Sequence, residues 1–203
     1  AGFGQWLAEQ MHIPVFCKEA TFPVLLPEDE AHVRVAGLSA WQARRVKCRY
    51  IALTDAIGNA LAATGVPARR IVQIPNGVEV PGEMADPGRH ADAIYIGNFT
   101  QGVAFKGFDV LLRAWGRAVQ TEPDMRLHLY GAGNTQEWEA FARAQGCGQS
   151  VVFEGPAGDV WAAHRQAGFL VLPSRREVMS NALLEAMASG LPAVVSDIPG
   201  NTA

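Results

Sequence analysis

The sequence predicts an α/β protein in which helices cover both faces of parallel sheets. Three observations point there. Short apolar runs lack polar alternation, as do strands buried on both faces. Amphipathic stretches separate them almost throughout, so strand and helix alternate. Apolar types make up 49% of the 203 residues and charged types 18%, enough to bury a core and wrong for a disordered chain.

Taken in order, strands are expected over 13–17, 50–54, 71–74, 93–97, 127–130, 151–153, 169–173 and 193–196. Phe108, Leu111, Leu112, Trp115 and Val119 recur along one helical face, which predicts a helix over 107–120. The same pattern, less marked, gives helices near 55–64, 136–145, 159–167 and 181–189. Pro81, Gly82, Pro87 and Gly88 fall in a stretch with no apolar period, the composition of a linker. Residues 1–80 and 91–203 are therefore expected as parts of two domains, with 81–90 joining them. The chain opens Ala1-Gly2-Phe3-Gly4, without initiator methionine or signal pattern, and closes on Pro199-Gly200-Asn201-Thr202-Ala203 just after a strand. That reads as a piece of a longer protein, with both domains incomplete and sheet edges left open.

Charge and special residues exclude several classes. Seventeen Lys and Arg against 20 Asp and Glu leave −3, too close to neutral for a nucleic-acid coat or a polybasic membrane binder. No apolar run approaches the ~20 residues of a membrane-spanning helix. Cys17, Cys48 and Cys147 are scattered and form no Cys-x-x-Cys pair, which argues against a disulfide scaffold or zinc knuckle and for a reducing compartment. The five histidines show no metal-ligand spacing. His128 alternates within a strand and is expected packed or at an edge; His164 is expected exposed on its helix.

Residues 170–192 carry the candidate chemistry. A buried strand ends at Pro173, a polar loop follows, and Ser180 or Asn181 suits the cap of the next helix. Gly190, Leu191 and Pro192 supply its stop. The amino end of that helix then faces the crevice beyond the strand, where open α/β sheets bind ligands and a helix dipole favours an anion. Glu185 lies one turn into the helix and Glu177 in the loop before it. A carboxylate beside a phosphate is repelled by it, so its natural partners are neutral hydroxyls, such as those of a sugar or ribose.

Glu177, seven residues, Glu185 and then Ala186-Met187-Ala188-Ser189-Gly190-Leu191-Pro192 resembles the signature of retaining GT-B-fold glycosyltransferases, in particular glycosyltransferase family 4, the glycosyl transferases group 1. Ile74-Pro75-Asn76-Gly77-Val78 resembles the turn ending the amino-terminal domain. Tyr95-Ile96-Gly97 with Lys106-Gly107-Phe108-Asp109 resembles the start of the donor domain, and Tyr130-Gly131-Ala132-Gly133, Val152-Phe153-Glu154-Gly155 and Val171-Leu172-Pro173-Ser174 continue the series. Each piece alone is weak; the set in order is specific.

The resemblance implies two Rossmann-like domains, an acceptor-side one before the linker and a nucleotide-sugar donor domain after it. It implies transfer of a sugar from a nucleoside diphosphate to a hydroxyl of a glycan, lipid-linked or small-molecule acceptor, with retention, in glycan or lipopolysaccharide-type synthesis. Lys106 would neutralise the diphosphate, Glu177 would hold the sugar's hydroxyls and Glu185 the ribose. Gly97, Asn98, Gly131, Phe153, Ser180, Asn181 and Ala182 would surround the donor. No cofactor or metal is expected, since no paired-aspartate motif is present, and no nucleic-acid partner. A cytoplasmic location follows, with the complete protein able to sit peripherally on the membrane, and the segment alone is expected to be inactive.

Two positions depart from the family. Asn98 stands where an arginine usually follows the strand glycine, leaving Arg175 or Arg176 as alternative cations, and the loop over 100–105 is long. Val178 stands where glycine commonly follows the first glutamate. The alternatives are a catalytically silent nucleotide-sugar-binding module and, from Gly131-Ala132-Gly133 with Glu154 ending the next strand, an NAD(P) oxidoreductase. The latter lacks its third glycine, whose place Gln136 takes.

Overall fold

In a computed structural model of the chain, the described residues are 16–19, 34–35, 38–39, 49–99 and 104–202. The chain divides into two compact units, one ending at Asn76 and the other comprising Gly77–Thr202.

The first unit contains β1 (Phe16–Glu19), β2 (Arg34–Val35), β3 (Leu38–Ser39), β4 (Arg49–Ala52) and β5 (Ile71–Gln73). A parallel sheet runs in the order β1-β4-β5, and β2 pairs antiparallel with β3. Residues 13–15 of the first expected strand lie outside the described residues. Strands of two residues, such as β2 and β3, are too short to leave a periodic signature. Helix α1 (Asp55–Ala63) begins at Thr54, whose side-chain oxygen accepts from the Ile57 amide at 3.3 Å. Its Ile57 and Leu61 are buried, as are Tyr50 and Ala52 of β4.

The second unit holds β6 (Ala93–Ile96), β7 (Leu127–Tyr130), β8 (Val151–Gly155), β9 (Phe169–Leu172) and β10 (Ala193–Val195), all parallel, in the order β10-β9-β6-β7-β8. Helices α2 (Phe108–Thr121), α3 (Thr135–Ala144), α4 (Val160–Arg165) and α5 (Asn181–Ala188) connect them, and a short α6 (Pro199–Thr202) follows β10, where no helix was expected. The helical face read in the sequence is buried: Phe108, Leu111, Leu112 and Trp115 of α2 pack with Ala93, Tyr95, Leu127 and Leu129. The alternate residue Ile94 joins Leu170, Ala186 and Leu191 in a second cluster. Apolar side chains therefore point to both sides of β6, which is why its sequence does not alternate.

The strand order fixes where a ligand can sit. From β6 the chain steps one way to β7 and β8, then crosses back to β9 on the other side of β6. The order reverses between β6 and β9, and the strands' carboxyl ends at such a reversal are where open α/β sheets bind ligands.

Residues 81–90, expected as a linker, are pinned to the second unit. The Ala85 amide donates to Ser189 O at 2.8 Å, and Glu83 lies 3.5 Å from Arg165. One expectation is corrected: His164 is fully buried rather than exposed. Helix α4 has six residues, too few for its sequence to show which side faces in. Its Asp159 cap, accepting from the Trp161 and Ala162 amides, sets His164 against Ser189.

Candidate functional site

The loops after β6 and β9 meet at this reversal of strand order. Gly107 begins α2 with φ of 71°, and a Cβ there would collide with the Pro173 carbonyl oxygen. Only glycine tolerates both the backbone conformation and the approach. The contact brings Lys106, last residue of a 3-10 turn, against the β9–α5 loop. The Arg175 amide donates to Phe105 O at 2.6 Å and closes the same junction.

Across it, Lys106 Nζ and Glu177 Oε1 lie 2.6 Å apart, an ion pair between residues 71 positions apart in the chain. Ser174 Oγ donates to the same Glu177 oxygen at 2.8 Å. Ser196 Oγ donates to the Ser174 carbonyl, tying the loop to the end of β10. From the far side α6 presses on Glu177: a Cβ on Gly200 would overlap the Glu177 carbonyl oxygen. The Glu177 loop is thus held at three places.

Helix α5 starts beside this loop. Ser180 is its cap, with the side-chain oxygen 3.4 Å from the Leu183 amide, and Asn181 and Ala182 are its first two residues. Glu185 is half-buried one turn further. Burial pushes its carboxyl above the usual range, and no side-chain partner meets it among the described residues. Val178, where glycine was expected, turns its side chain inward and is buried.

At the ends of β6 and β7 the backbones nearly touch. A Cβ on Gly131 would overlap Gly97 O, while the Gly97 amide donates to Tyr130 O and the Gly131 amide to Gly155 O, both at 2.8 Å. Asn98 Oδ1 accepts from the Ala132 amide at 3.1 Å, so the side chain at the arginine position braces the neighbouring turn. Phe153 packs edge-on to Phe99, with ring centroids 5.8 Å apart, and against the core.

The two alternative cations separate. Arg175 lies 2.8 Å from Asp109 and is the chief reason its carboxyl titrates below the usual range; Arg113 approaches the same oxygen at 2.9 Å. Arg176 instead lies over the Phe105 ring at 5.7 Å, and Lys106 Nζ lies 5.6 Å from the same centroid.

Sequence reasoning missed Ser174 and Gly200. A serine three residues before a loop glutamate was the available signal for the first; the second needed the fold. Glu154, the acid of the dinucleotide alternative, is paired with His128 Nδ1 at 2.7 Å. Among the described residues no three His, Cys, Asp or Glu side chains cluster as metal ligands would, and no helix is long and apolar enough to cross a membrane.

Residues 90–203 match the family model described as glycosyl transferases group 1. Lipopolysaccharide 1,6-galactosyltransferase of Salmonella typhimurium is 26% identical over 156 residues, covering 73% of this chain and 42% of its own. Mannosylfructose-phosphate synthase of Agrobacterium fabrum is 34% identical over 102 residues, or 45% and 22% of the two chains. Among solved structures, the pneumococcal O-GlcNAc transferase GtfA with UDP and GlcNAc superposes with TM-score 0.80 at 20% identity, over 99% of this chain and 41% of that one. HepE of Anabaena with UDP and glucose gives 0.78 at 19%, over 98% and 57%. The chain spans less than half the length of these curated relatives. The parallel sheets are those of a partial GT-B fold, and the chain belongs to the glycosyl transferases group 1 family.

Proposed function

We propose that the chain carries the nucleotide-sugar site of a glycosyltransferase that moves a hexose from a nucleoside diphosphate to a hydroxyl acceptor with retention. One observation carries the reading. Lys106 and Glu177, from loops on either side of the strand-order reversal, meet at 2.6 Å beside a helix start, with Glu185 one turn in and without a side-chain partner among the described residues.

Each group has a distinct part. Negative charge on the departing diphosphate grows in the transition state, so a cation and helix amides already in place help most at that moment. Lys106 and the Ser180–Ala182 turn supply them. Glu185 receives the ribose hydroxyls, and Glu177 those of the sugar. Gly97 and Gly131 let the backbone floor approach the ligand closely, with the Asn98 amide nitrogen and Phe153 bordering it. Retention is carried over from the family resemblance, and no residue is assigned as general base. UDP in the GtfA and HepE structures makes uridine the first nucleotide to test, and the Salmonella relative supports a glycan of lipopolysaccharide type as acceptor.

A silent binding module is the second reading, favoured by Asn98, which is uncharged and already braces the Ala132 turn. Isotopically labelled UDP-sugars offered to the full-length protein, with transfer and hydrolysis followed together, separate the two. Turnover that falls at least tenfold in Lys106→Ala and Glu185→Ala supports the transferase. Turnover unchanged in both refutes the site, and binding without any transfer establishes the silent module.

A further inference from the structure

Arg175 stands two residues before Glu177 in the β9–α5 loop and grips the Lys106 turn on both sides. Its amide donates to Phe105 O at 2.6 Å, just before Lys106. Its guanidinium donates to Asp109 Oδ2 at 2.8 Å, in the first turn of α2 and just beyond. Between those contacts lie Lys106, Gly107 and Phe108. Lys106 pairs with the Glu177 carboxylate, and Gly107 abuts the Pro173 carbonyl. One loop residue thus brackets the turn with which the loop's own carboxylate is paired.

Asp109 meets two arginines of different kinds. Arg113 is one turn along the same helix, an ordinary i,i+4 pair at 2.9 Å. Arg175 comes from 66 positions away and joins two loops. Its side chain is half-exposed, and a pair so open to water adds little stability. Asp109 also neutralises the charge that Arg175 could otherwise offer an anion. What the bond fixes is direction: a planar guanidinium at one end and an amide at the other leave the loop little freedom to slide along α2.

We infer that Arg175 is a positioning residue: anchored on Asp109, it sets Glu177 in register with Lys106, so that the carboxylate meets the sugar while the lysine meets the diphosphate. This rests on the site roles proposed above. Lys106 reaches its anion on a flexible four-carbon stem and tolerates small shifts of its turn. Glu177 has a shorter side chain and accepts from Ser174 of the same loop, so its aim follows the loop.

The test uses the full-length protein with labelled UDP-glucose and UDP-galactose as donors. Arg175→Ala, Asp109→Asn and their double variant are compared with Lys106→Ala and Glu177→Gln, all well below their melting temperatures. Both single variants should keep their UDP affinity, because UDP lacks the sugar that Glu177 holds. Their kcat should fall roughly ten- to a hundredfold, the scale for a reacting group displaced by up to ~1 Å. The double variant should lose no more than either single one, because the same bond is broken in each. Arg175→Lys should recover part of the loss, and Arg113→Ala, which breaks only the pair within the helix, should leave kcat unchanged. Where the protein binds but transfers neither sugar, the preference for UDP-sugar over UDP is the quantity that should shrink.

Unchanged kcat and preference in Arg175→Ala and Asp109→Asn, with Lys106→Ala and Glu177→Gln both impaired, overturns the role of Arg175 and leaves the site standing. A lowered melting temperature with kcat and preference unmoved would mean stability only, which also overturns it. Weaker UDP binding in Arg175→Ala with tighter binding in Asp109→Asn belongs to an arginine on the diphosphate, and overturns it too. Full turnover in Lys106→Ala and Glu177→Gln overturns both readings.

Discussion

His164 Nδ1 and Ser189 Oγ lie 3.0 Å apart inside the second unit. The serine donates its own proton to Ala186 O at 2.9 Å, so the ring is the donor at Nδ1 and carries a buried lone pair at Nε2, which has no partner among the described residues. Burial lowers the imidazole from 6.5 to about 4. The folded state thus prefers the neutral ring. Its contribution is complete above about pH 6.5 and is lost progressively as pH falls through 4, on the order of 3 kcal/mol in all. Urea denaturation between pH 7 and 4 should show that decline, and His164→Leu should flatten it.

Gly107→Ala should damage fold and site together. The left-handed backbone costs a non-glycine residue about 1–3 kcal/mol, and the Pro173 carbonyl must also retreat. Lys106 moves with it. A lowered melting temperature accompanied by weaker UDP binding is the expected pair of results, read by scanning calorimetry and titration calorimetry.

Glu185→Gln should separate stability from binding. A half-buried carboxylate raised by desolvation opposes folding at neutral pH, and that opposition fades as pH falls and the acid protonates. The amide removes the charge, so the melting temperature at pH 7 should hold or rise. Donor affinity should drop by one to two decades, the value of a charged hydrogen bond. Both changes can be read in one thermal-shift series with and without UDP.

Residues 1–203 produced alone should show little or no sugar transfer, since the chain spans at most 42% of the length of the two curated relatives compared. Sustained turnover by this segment in the labelled-donor assay would contradict that expectation.

The sequence reading succeeded where one local rule dominated. The spacing of Phe108, Leu111, Leu112 and Trp115 revealed α2 because a long helix repeats its apolar side several times. Ser180 and Gly190 marked α5 because caps and stops are local chemistry. The fold class followed from unalternating strands such as β6. His164 was misread because α4 is too short to repeat, and α6 went unseen because Pro199-Gly200 usually breaks a helix rather than forming one. At the candidate site, both glutamates were visible as residue types around an expected helix start, and Lys106 through the family resemblance. Their meeting was not, because it depends on the close packing of Gly107 against Pro173 and Gly200 against Glu177. Ser174 became visible only once that loop had a shape. Residues 81–90 look like free linker in one dimension, and the contacts of Ala85 with Ser189 and Glu83 with Arg165 show where they rest.

Trp138 donates its indole proton to Phe99 O at 3.3 Å and leans on the Phe108 ring at 5.3 Å. It therefore spans the same floor that Asn98 borders and Gly107 initiates. An indole so placed gives the molecule its own optical gauge: of the emission from its five tryptophans, the part that Trp138→Phe removes should change when a nucleotide settles on this floor, with no dye or tag attached.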